Sequence, residues 1–341
     1  VLFGRARGPV HRPVLHGAIV AGLLPANCWQ KSHHDRVTSW LWGRRAEQNE
    51  HMALATHPAP LTSNGFELDS DPSRLGVLDP VPAAERQDRD ALWRRLRRDG
   101  YLYLPQFLDP EVVLTFRRFY FEHLGEVGLL DPSAPPVEGI DSGGETDRAA
   151  LRERLFESIV PSPEYQAFCT QSAIADWFAW LYEGETFLHR RKIIRHTRPG
   201  ESGIGTATQA HYDLVYLREG TDRLLSLWVP LGDTPIELGP LVYLEGSHHR
   251  YIELEQSGEL GRPMSLTADL PGLDEKYNSR WLMTDFKAGD VMVHSPYIVH
   301  ASLDNVDPGS RLRLSTDIRY QRAADPIDWR WQHHWSDDDG L

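Results

Sequence analysis

His211-Tyr212-Asp213 is the stretch of this chain with the clearest capacity for metal chemistry. Residues i and i+2 of a strand point to the same face, so this imidazole and this carboxylate can converge on one ion. A third ligand is available in His300, which ends the run Gly289-Asp290-Val291-Met292-Val293-His294-Ser295-Pro296-Tyr297-Ile298-Val299-His300. Gly-Asp, an apolar strand and then a His is the pattern that returns a late strand beside an early one. Two His and one carboxylate on one face of an octahedron leave three positions open, the arrangement of non-haem iron(II) oxygenases. His294, in the same run, is the rival third ligand.

Arg311 opens the segment Arg311-Leu312-Arg313-Leu314-Ser315. Strand alternation would put Arg311, Arg313 and Ser315 on one face. A 2-oxo acid cosubstrate that chelates iron at one end carries a second carboxylate at the other. A guanidinium binds that group as a bidentate fork and stays charged. Arg311 is the expected anchor, with Arg313 in reserve. A non-redox metal-binding or ligand-binding barrel, holding zinc or nothing, has no need of a guanidinium in register behind its third His. That residue therefore separates an oxygenase from a plain binding module.

The elements that must position these groups are legible in outline. Residues 1–85 read as an irregular N-terminal extension, and 1–51, which begin with Val1 and precede Met52, are expected to be dispensable. Residues 86–325 form the expected catalytic domain, and 326–341 a Trp-rich C-terminal tail. Helical spacing of Leu92, Trp93 and Leu96 ends at Gly100, and Tyr101–Leu104 follows as a strand. Asp109-Pro110-Glu111 opens another helix, with Asp109 as its cap and Pro110 as its first residue. Helical patches are expected near 148–159 and 163–183. From Thr186 short strands take over: Phe187–His196, Leu224–Pro230, Leu241–Leu244, Arg280–Asp285, Asp290–Val293 and Arg311–Tyr320. Helices first and short strands afterwards predict an α+β protein with an antiparallel sandwich or barrel in its C-terminal half.

Composition removes other classes of function. The formal net charge of −13 offers no basic face for phosphates, so no nucleic-acid partner is expected. No stretch approaches the roughly 20 apolar residues of a membrane span. Cys28 and Cys169 alone make neither a disulfide framework nor a cysteine zinc site, which suits a reducing cytoplasm, the expected location. Arg far outnumbers Lys, as codon bias in a GC-rich bacterial genome produces, and specialised metabolism fits such an origin.

From Gly100 to Gln321 the chain resembles the phytanoyl-CoA dioxygenase (PhyH) family of Fe(II)/2-oxoglutarate-dependent oxygenases. The matching residues are Gly100-Tyr101, Leu108-Asp109-Pro110-Glu111, His211-x-Asp213 and Trp228-Val229-Pro230-Leu231. Gly239-Pro240-Leu241-x-Tyr243-x-x-Gly246-Ser247-His248, Gly289-Asp290-Val291 and His300-x-Ser302-x-x-Asn305 follow, then Arg311. The resemblance implies a double-stranded β-helix (a cupin-like jelly roll) with flanking N-terminal helices. It also implies iron(II), 2-oxoglutarate and O2 as metal, cosubstrate and oxidant. His300 is preferred over His294 because Ser302 and Asn305 follow it at the family's spacing. Ser302 and Trp228 match further 2-oxoglutarate contacts. Relatives that halogenate replace the metal carboxylate with a small residue. Asp213 therefore favours hydroxylation of an aliphatic C–H in a small molecule, an amino acid or a specialised-metabolite intermediate. Desaturation, epimerisation or ring formation at the same iron site is the alternative.

The remaining residues with chemical capacity have blander readings. His294 is expected to be a core group or one backing the metal ligands, and His248 and His249 to fix the turn after Gly246-Ser247. His196 could face the pocket. Trp177, Phe178, Trp180 and Tyr182 read as helix core. The tail, with Trp329, Trp331, His333, His334 and Trp335, is expected to fold back on the barrel near its mouth. Pocket walls are expected from 126–150, 198–210, 214–222 and 252–280. Substrate and oligomeric state are not legible.

Overall fold

The computed structural model describes residues 60–201, 203–261 and 265–336. The expectation for residues 1–51 lies outside them. The described chain begins with a tight hairpin, β1 (Thr62–Ser63) and β2 (Phe66–Glu67), turned by Asn64 and Gly65, both at positive φ. β3 (Leu75–Val77) then pairs in parallel with a late strand. Part of the segment read as irregular therefore belongs to a sheet, because the strand partners of Leu75–Val77 are Trp281–Met283, some two hundred positions away.

α1 (Arg89–Asp99) is capped by Asp88 and stops at Gly100, whose φ of 79° lets its N–H reach the Leu96 carbonyl. β4 (Tyr101–Leu104) leads to α2 (Pro110–His123), started as expected by Asp109 and Pro110. α3 (Arg148–Glu153) runs into a π-helical turn over Arg154–Ile159. The expected helix over 163–183 is two, α4 (Pro163–Cys169) and α5 (Ser172–Tyr182).

The remaining strands are β5 (Thr186–Leu188), β6 (Ile193–Thr197), β7 (Leu224–Pro230), β8 (Leu241–Leu244), β9 (Trp281–Met283), β10 (Val291–His294), β11 (His300–Ser302) and β12 (Arg313–Arg322). The run predicted as one strand over 187–196 is split into β5 and β6, which both pair with β12. Two helices escaped the sequence reading, α6 (Ser247–Ser257) and α7 (Leu270–Tyr277).

The strands form two main sheets. One has the order β4-β10-β7-β12-β5, with β6 also on β12; the other is β11-β8-β9-β3. Strand alternation gives each sheet two apolar faces. Between the sheets, Tyr101, Tyr103, Trp228 and Met292 meet Leu241, Tyr243 and Leu282. On the outer face of the larger sheet, Leu227, Val229, Leu314 and Ile318 pack against helical residues such as Phe116, Tyr165 and Phe178. The smaller sheet buries Val242, Leu244, Trp281 and Met283 against Tyr251, Leu270 and Leu273. Each such apolar side chain contributes about 1.5–3 kcal/mol on burial. The described fold is thus mixed α and β, with two packed sheets and helices outside both. Trp177, Phe178, Trp180 and Tyr182 belong to the helical layer. No helix among the described residues is long and apolar enough to cross a membrane.

Candidate metal and cosubstrate site

His211 and His300 are drawn together by the backbone. Each donates its N–H to the other's carbonyl, at 3.0 and 2.9 Å, in an isolated antiparallel bridge between β11 and the segment before Asp213. Tyr212 is extended, so His211 and Asp213 still face one way, although Asp213 begins a 3-10 turn rather than continuing a strand. Within the site, His211 Nε2 lies 3.8 Å and His300 Nε2 3.9 Å from Asp213 Oδ1. Three ligand atoms of these residues lie within 4.8 Å of one another.

Both imidazoles are set in the tautomer a metal needs. His211 Nδ1–H donates to the Gln209 carbonyl at 2.8 Å and His300 Nδ1–H to the Ile298 carbonyl at 3.1 Å, which leaves each Nε2 lone pair free. Burial holds both rings below the usual histidine range and hence neutral, against the upward pull of Asp213. Burial alone would raise Asp213, but the Arg319 guanidinium, with His294 and His300, reverses this and keeps the carboxylate ionised. Arg319 Nη2 bonds both carboxylate oxygens, at 3.1 and 3.2 Å, and the Ser226 hydroxyl donates to Oδ2. Oδ1 is the oxygen turned toward the two His.

His294 is fully buried beside the outer oxygen of Asp213, with Nε2 at 3.4 Å from Oδ2 and Nδ1 at 3.1 Å from the Tyr243 hydroxyl. It backs the carboxylate rather than completing the triad. His248 and His249 sit in the first turn of α6 and bond the carbonyls of Arg97 and Arg98 at the end of α1. They join two helices and do not line the cavity that the ligands face.

The triad lines a cavity of about 290 Å³, whose wall also includes Trp228, Ser315, Arg313 and Gln209. Arg313, Ser315, Asp317 and Arg319 follow one another along the inward face of β12. Here the structure corrects the sequence reading. Arg311 points away from the cavity: it pairs with Asp307 at 2.6 Å and its side chain is 41% exposed. Ser310, at φ 56°, turns the chain, and the Arg311 N–H is held by the Asp307 carboxylate, so regular alternation starts only at Arg313. Arg313 is 2% exposed and donates to the Gly239 carbonyl. Gly239 has φ 73°, and a Cβ there would lie 2.4 Å from the Leu303 carbonyl oxygen, so glycine is required where Arg313 is held. Burial pushes Arg313 down to about 10, which leaves it cationic at neutral pH.

Trp228 is in the wall, edge-on to Phe286. Ser302 shares a strand face with His300 but lies behind the wall, its Oγ accepting the N–H of Thr208. Of the expected wall segments, 198–210 supplies Ala207, Thr208 and Gln209, and 214–222 supplies Tyr216. Within 252–280, which holds the end of α6 and all of α7, the described residues supply only Ser265. A second cavity takes Leu129, Thr146 and Arg148 from 126–150, together with His196, whose Nδ1 is 2.6 Å from the Tyr120 hydroxyl. The tail contributes Trp331, 1% exposed, to the first cavity and Trp335 to the second.

Sequence reasoning missed Arg319, Ser226, Asp317 and Arg195. The first three carried a signal: polar residues alternating with apolar ones in otherwise core strands face a site when both outer faces are already covered.

A sequence profile of the family described as phytanoyl-CoA dioxygenase (PhyH) matches residues 96–312. The chain belongs to that family. It is 27% identical over 247 residues to a 1-deoxypentalenic acid 11-beta-hydroxylase of Streptomyces exfoliatus, covering 70% of this chain and 82% of that one. An ectoine dioxygenase of Stutzerimonas stutzeri is 23% identical over 262 residues, covering 72% and 83%. Among solved structures, the non-haem α-ketoglutarate-dependent epimerase SnoN from nogalamycin biosynthesis aligns with a TM-score of 0.48. Its identity is 22%, over 70% of this chain and 86% of that one. Membership makes this PhyH-family chain an enzyme of the non-haem 2-oxoglutarate oxygenase type.

Proposed function

We propose that the protein is an iron(II)- and 2-oxoglutarate-dependent dioxygenase, built on a double-stranded β-helix, that hydroxylates an aliphatic C–H bond of a small molecule. One observation carries the reading: two neutral imidazole Nε2 atoms and an ionised carboxylate converge in a cavity whose wall also holds a buried guanidinium, Arg313. His211, Asp213 and His300 would hold the metal. The donor set fits iron(II), since both imidazoles are oriented by backbone carbonyls and the carboxylate by Ser226 and Arg319. Arg313 takes over the part first assigned to Arg311 and receives the distal carboxylate of 2-oxoglutarate. Ser302 acts through Thr208, which it fixes in the wall. Trp228 closes the floor and keeps water from the reacting carbon.

When bound, iron(II) with 2-oxoglutarate and O2 supplies the oxidising power: the cosubstrate loses CO2 to become succinate, and one oxygen atom enters the C–H bond. The chain orients both organic molecules and keeps the site dry. The names of the two relatives, both acting on small molecules, support an amino acid or a specialised-metabolite intermediate as substrate.

Anaerobic titration of the apoprotein with iron(II) and then 2-oxoglutarate tests the reading. The expected result is a weak visible charge-transfer band that needs both additions and is lost in Asp213→Ala. Tight iron binding with no band on adding 2-oxoglutarate would refute it.

A further inference from the structure

Tyr243 stands directly behind the metal site. On β8 it is the register partner of His300, and the two ring centroids are 5.8 Å apart. Its side chain is fully buried between the two sheets, and its hydroxyl donates to His294 Nδ1 at 3.1 Å. His294 Nε2 faces the Asp213 carboxylate at 3.4 Å, which keeps a proton there and leaves Nδ1 to accept. On its other side Tyr243 meets Tyr101 of β4, again with ring centroids 5.8 Å apart. The Tyr101 oxygen accepts the N–H of Asp79, an exposed residue, at 3.1 Å. The carboxylates of Asp99, Asp79 and Glu245 stand near that oxygen. Two tyrosines in series thus connect a metal ligand with carboxylates at the surface.

Such a pair beside a metal that reacts with O2 has a chemical consequence. A buried phenol loses an electron readily only if its proton leaves too, since a charged ring in the core would be poorly solvated. Tyr243 has the acceptor for that proton in place. Trp331, in the cavity wall, is the poorer electron donor. Arg191 and Arg319 lie over its ring at 4.7 and 5.0 Å, and a cation there opposes the loss of π electrons. The carboxylates near Tyr101 act in the opposite sense and favour its oxidation.

Resting on the oxygenase reading above, we propose that Tyr243 and Tyr101 drain oxidising power from the metal site when O2 is activated with no substrate in place. In such a turnover, decarboxylation of 2-oxoglutarate leaves two oxidising equivalents at the metal. In each of two steps Tyr243 gives one electron to the metal centre and its proton to His294, and becomes a neutral phenoxyl. Tyr101 then returns an electron to Tyr243 and releases its own proton to the surface carboxylates, while His294 hands back the first proton. A soluble reductant of the ascorbate class restores Tyr101 with one electron and one proton. Two electrons by this route and two protons from solvent turn the unused oxygen atom into water and restore iron(II). The relay protects the cavity wall, where Tyr216, Trp228 and Trp331 would otherwise meet the unspent oxidant.

The test needs no substrate. Protein loaded with iron(II) and 2-oxoglutarate is mixed with O2, frozen within one turnover and examined by electron paramagnetic resonance. Ring-deuterated tyrosine assigns the signal. Wild type is expected to give a tyrosyl radical that added ascorbate removes. Tyr243→Phe should lose that radical, keep the anaerobic charge-transfer band that reports an intact site, and gain oxygen on cavity-wall peptides by mass spectrometry. Tyr101→Phe should keep a radical, confined to Tyr243, that ascorbate removes more slowly. A wild type that shows the band but no tyrosyl radical would overturn the relay. So would an unchanged radical in Tyr243→Phe, or its loss in Tyr216→Phe alone, which places it in the cavity wall beside His211. Absence of the band itself would remove the oxygenase reading and the relay together, so the two failures are told apart.

Discussion

Replacing Arg313 by Gln and, separately, Arg311 by Ala tests the register of β12 as well as the cosubstrate site. The two arginines are neighbours on one strand face by sequence alternation, yet one is 2% exposed in the cavity wall and the other pairs with Asp307 outside it. A buried charged hydrogen-bonding group that loses its partner typically costs about 2–5 kcal/mol of binding. The 2-oxoglutarate concentration giving half of the charge-transfer band should therefore rise by roughly 30-fold to more than a thousandfold in Arg313→Gln. Arg311→Ala removes a partner of Asp307 outside the cavity and should leave the half-saturation point within about twofold. Arg313→Gln also removes a bond to the Gly239 carbonyl, so the assay is paired with a thermal melt, and the comparison is made at a temperature where both variants are folded. A large rise for Arg311→Ala with none for Arg313→Gln would refute the placement, and with it the account of how Ser310 and Asp307 turn Arg311 outward.

Three further expectations follow from the same geometry. Arg319→Met leaves the buried Asp213 carboxylate without its cation, so the metal-free protein should lose about 3–5 kcal/mol, and iron should stabilise the variant more than wild type; equal stabilisation in melts with and without iron would count against the pairing. Trp331→Ala removes a side chain 1% exposed that lies against Arg191 and Arg319, and chemical denaturation should show a loss of about 3–5 kcal/mol; a loss under 1 kcal/mol would mean the tail is not part of the wall. Burial holds His248 down at about 4 against an ordinary 6.5, so the folded chain resists a proton that the unfolded chain accepts. Stability present above pH 6.5 should fall as pH drops toward 4, by at most ~3 kcal/mol from this residue, and melting against pH should be flatter in His248→Gln; an unchanged slope would remove His248 as a cause.

The chemistry of the site was readable from residue types at fixed offsets. His211 and Asp213 face one way because alternation is a local property of extended backbone, and it survives even though Asp213 opens a 3-10 turn. Caps were equally local, as Asp109-Pro110 and Gly100 illustrate. What depended on distant partners was not readable. Arg311 and Arg313 are equivalent by pattern, and only the turn at Ser310, the Asp307 pair and the glycine-lined approach at Gly239 decide which enters the cavity. β3 has no strand signature of its own, since its pairing comes from β9 and its core gathers residues from Leu61 to Leu303. Arg195 was one cation among many until β6 was laid beside β12 at the junction of two cavities. Trp331 and Trp335 were conspicuous for their apolar area, but which face of the fold would bury them was a tertiary matter, settled by the arginines and apolar side chains that receive their rings. Local sequence fixes what a residue can do and which way its own element points it; which other groups it meets is decided by long-range packing, because contacts between elements have no period along the chain.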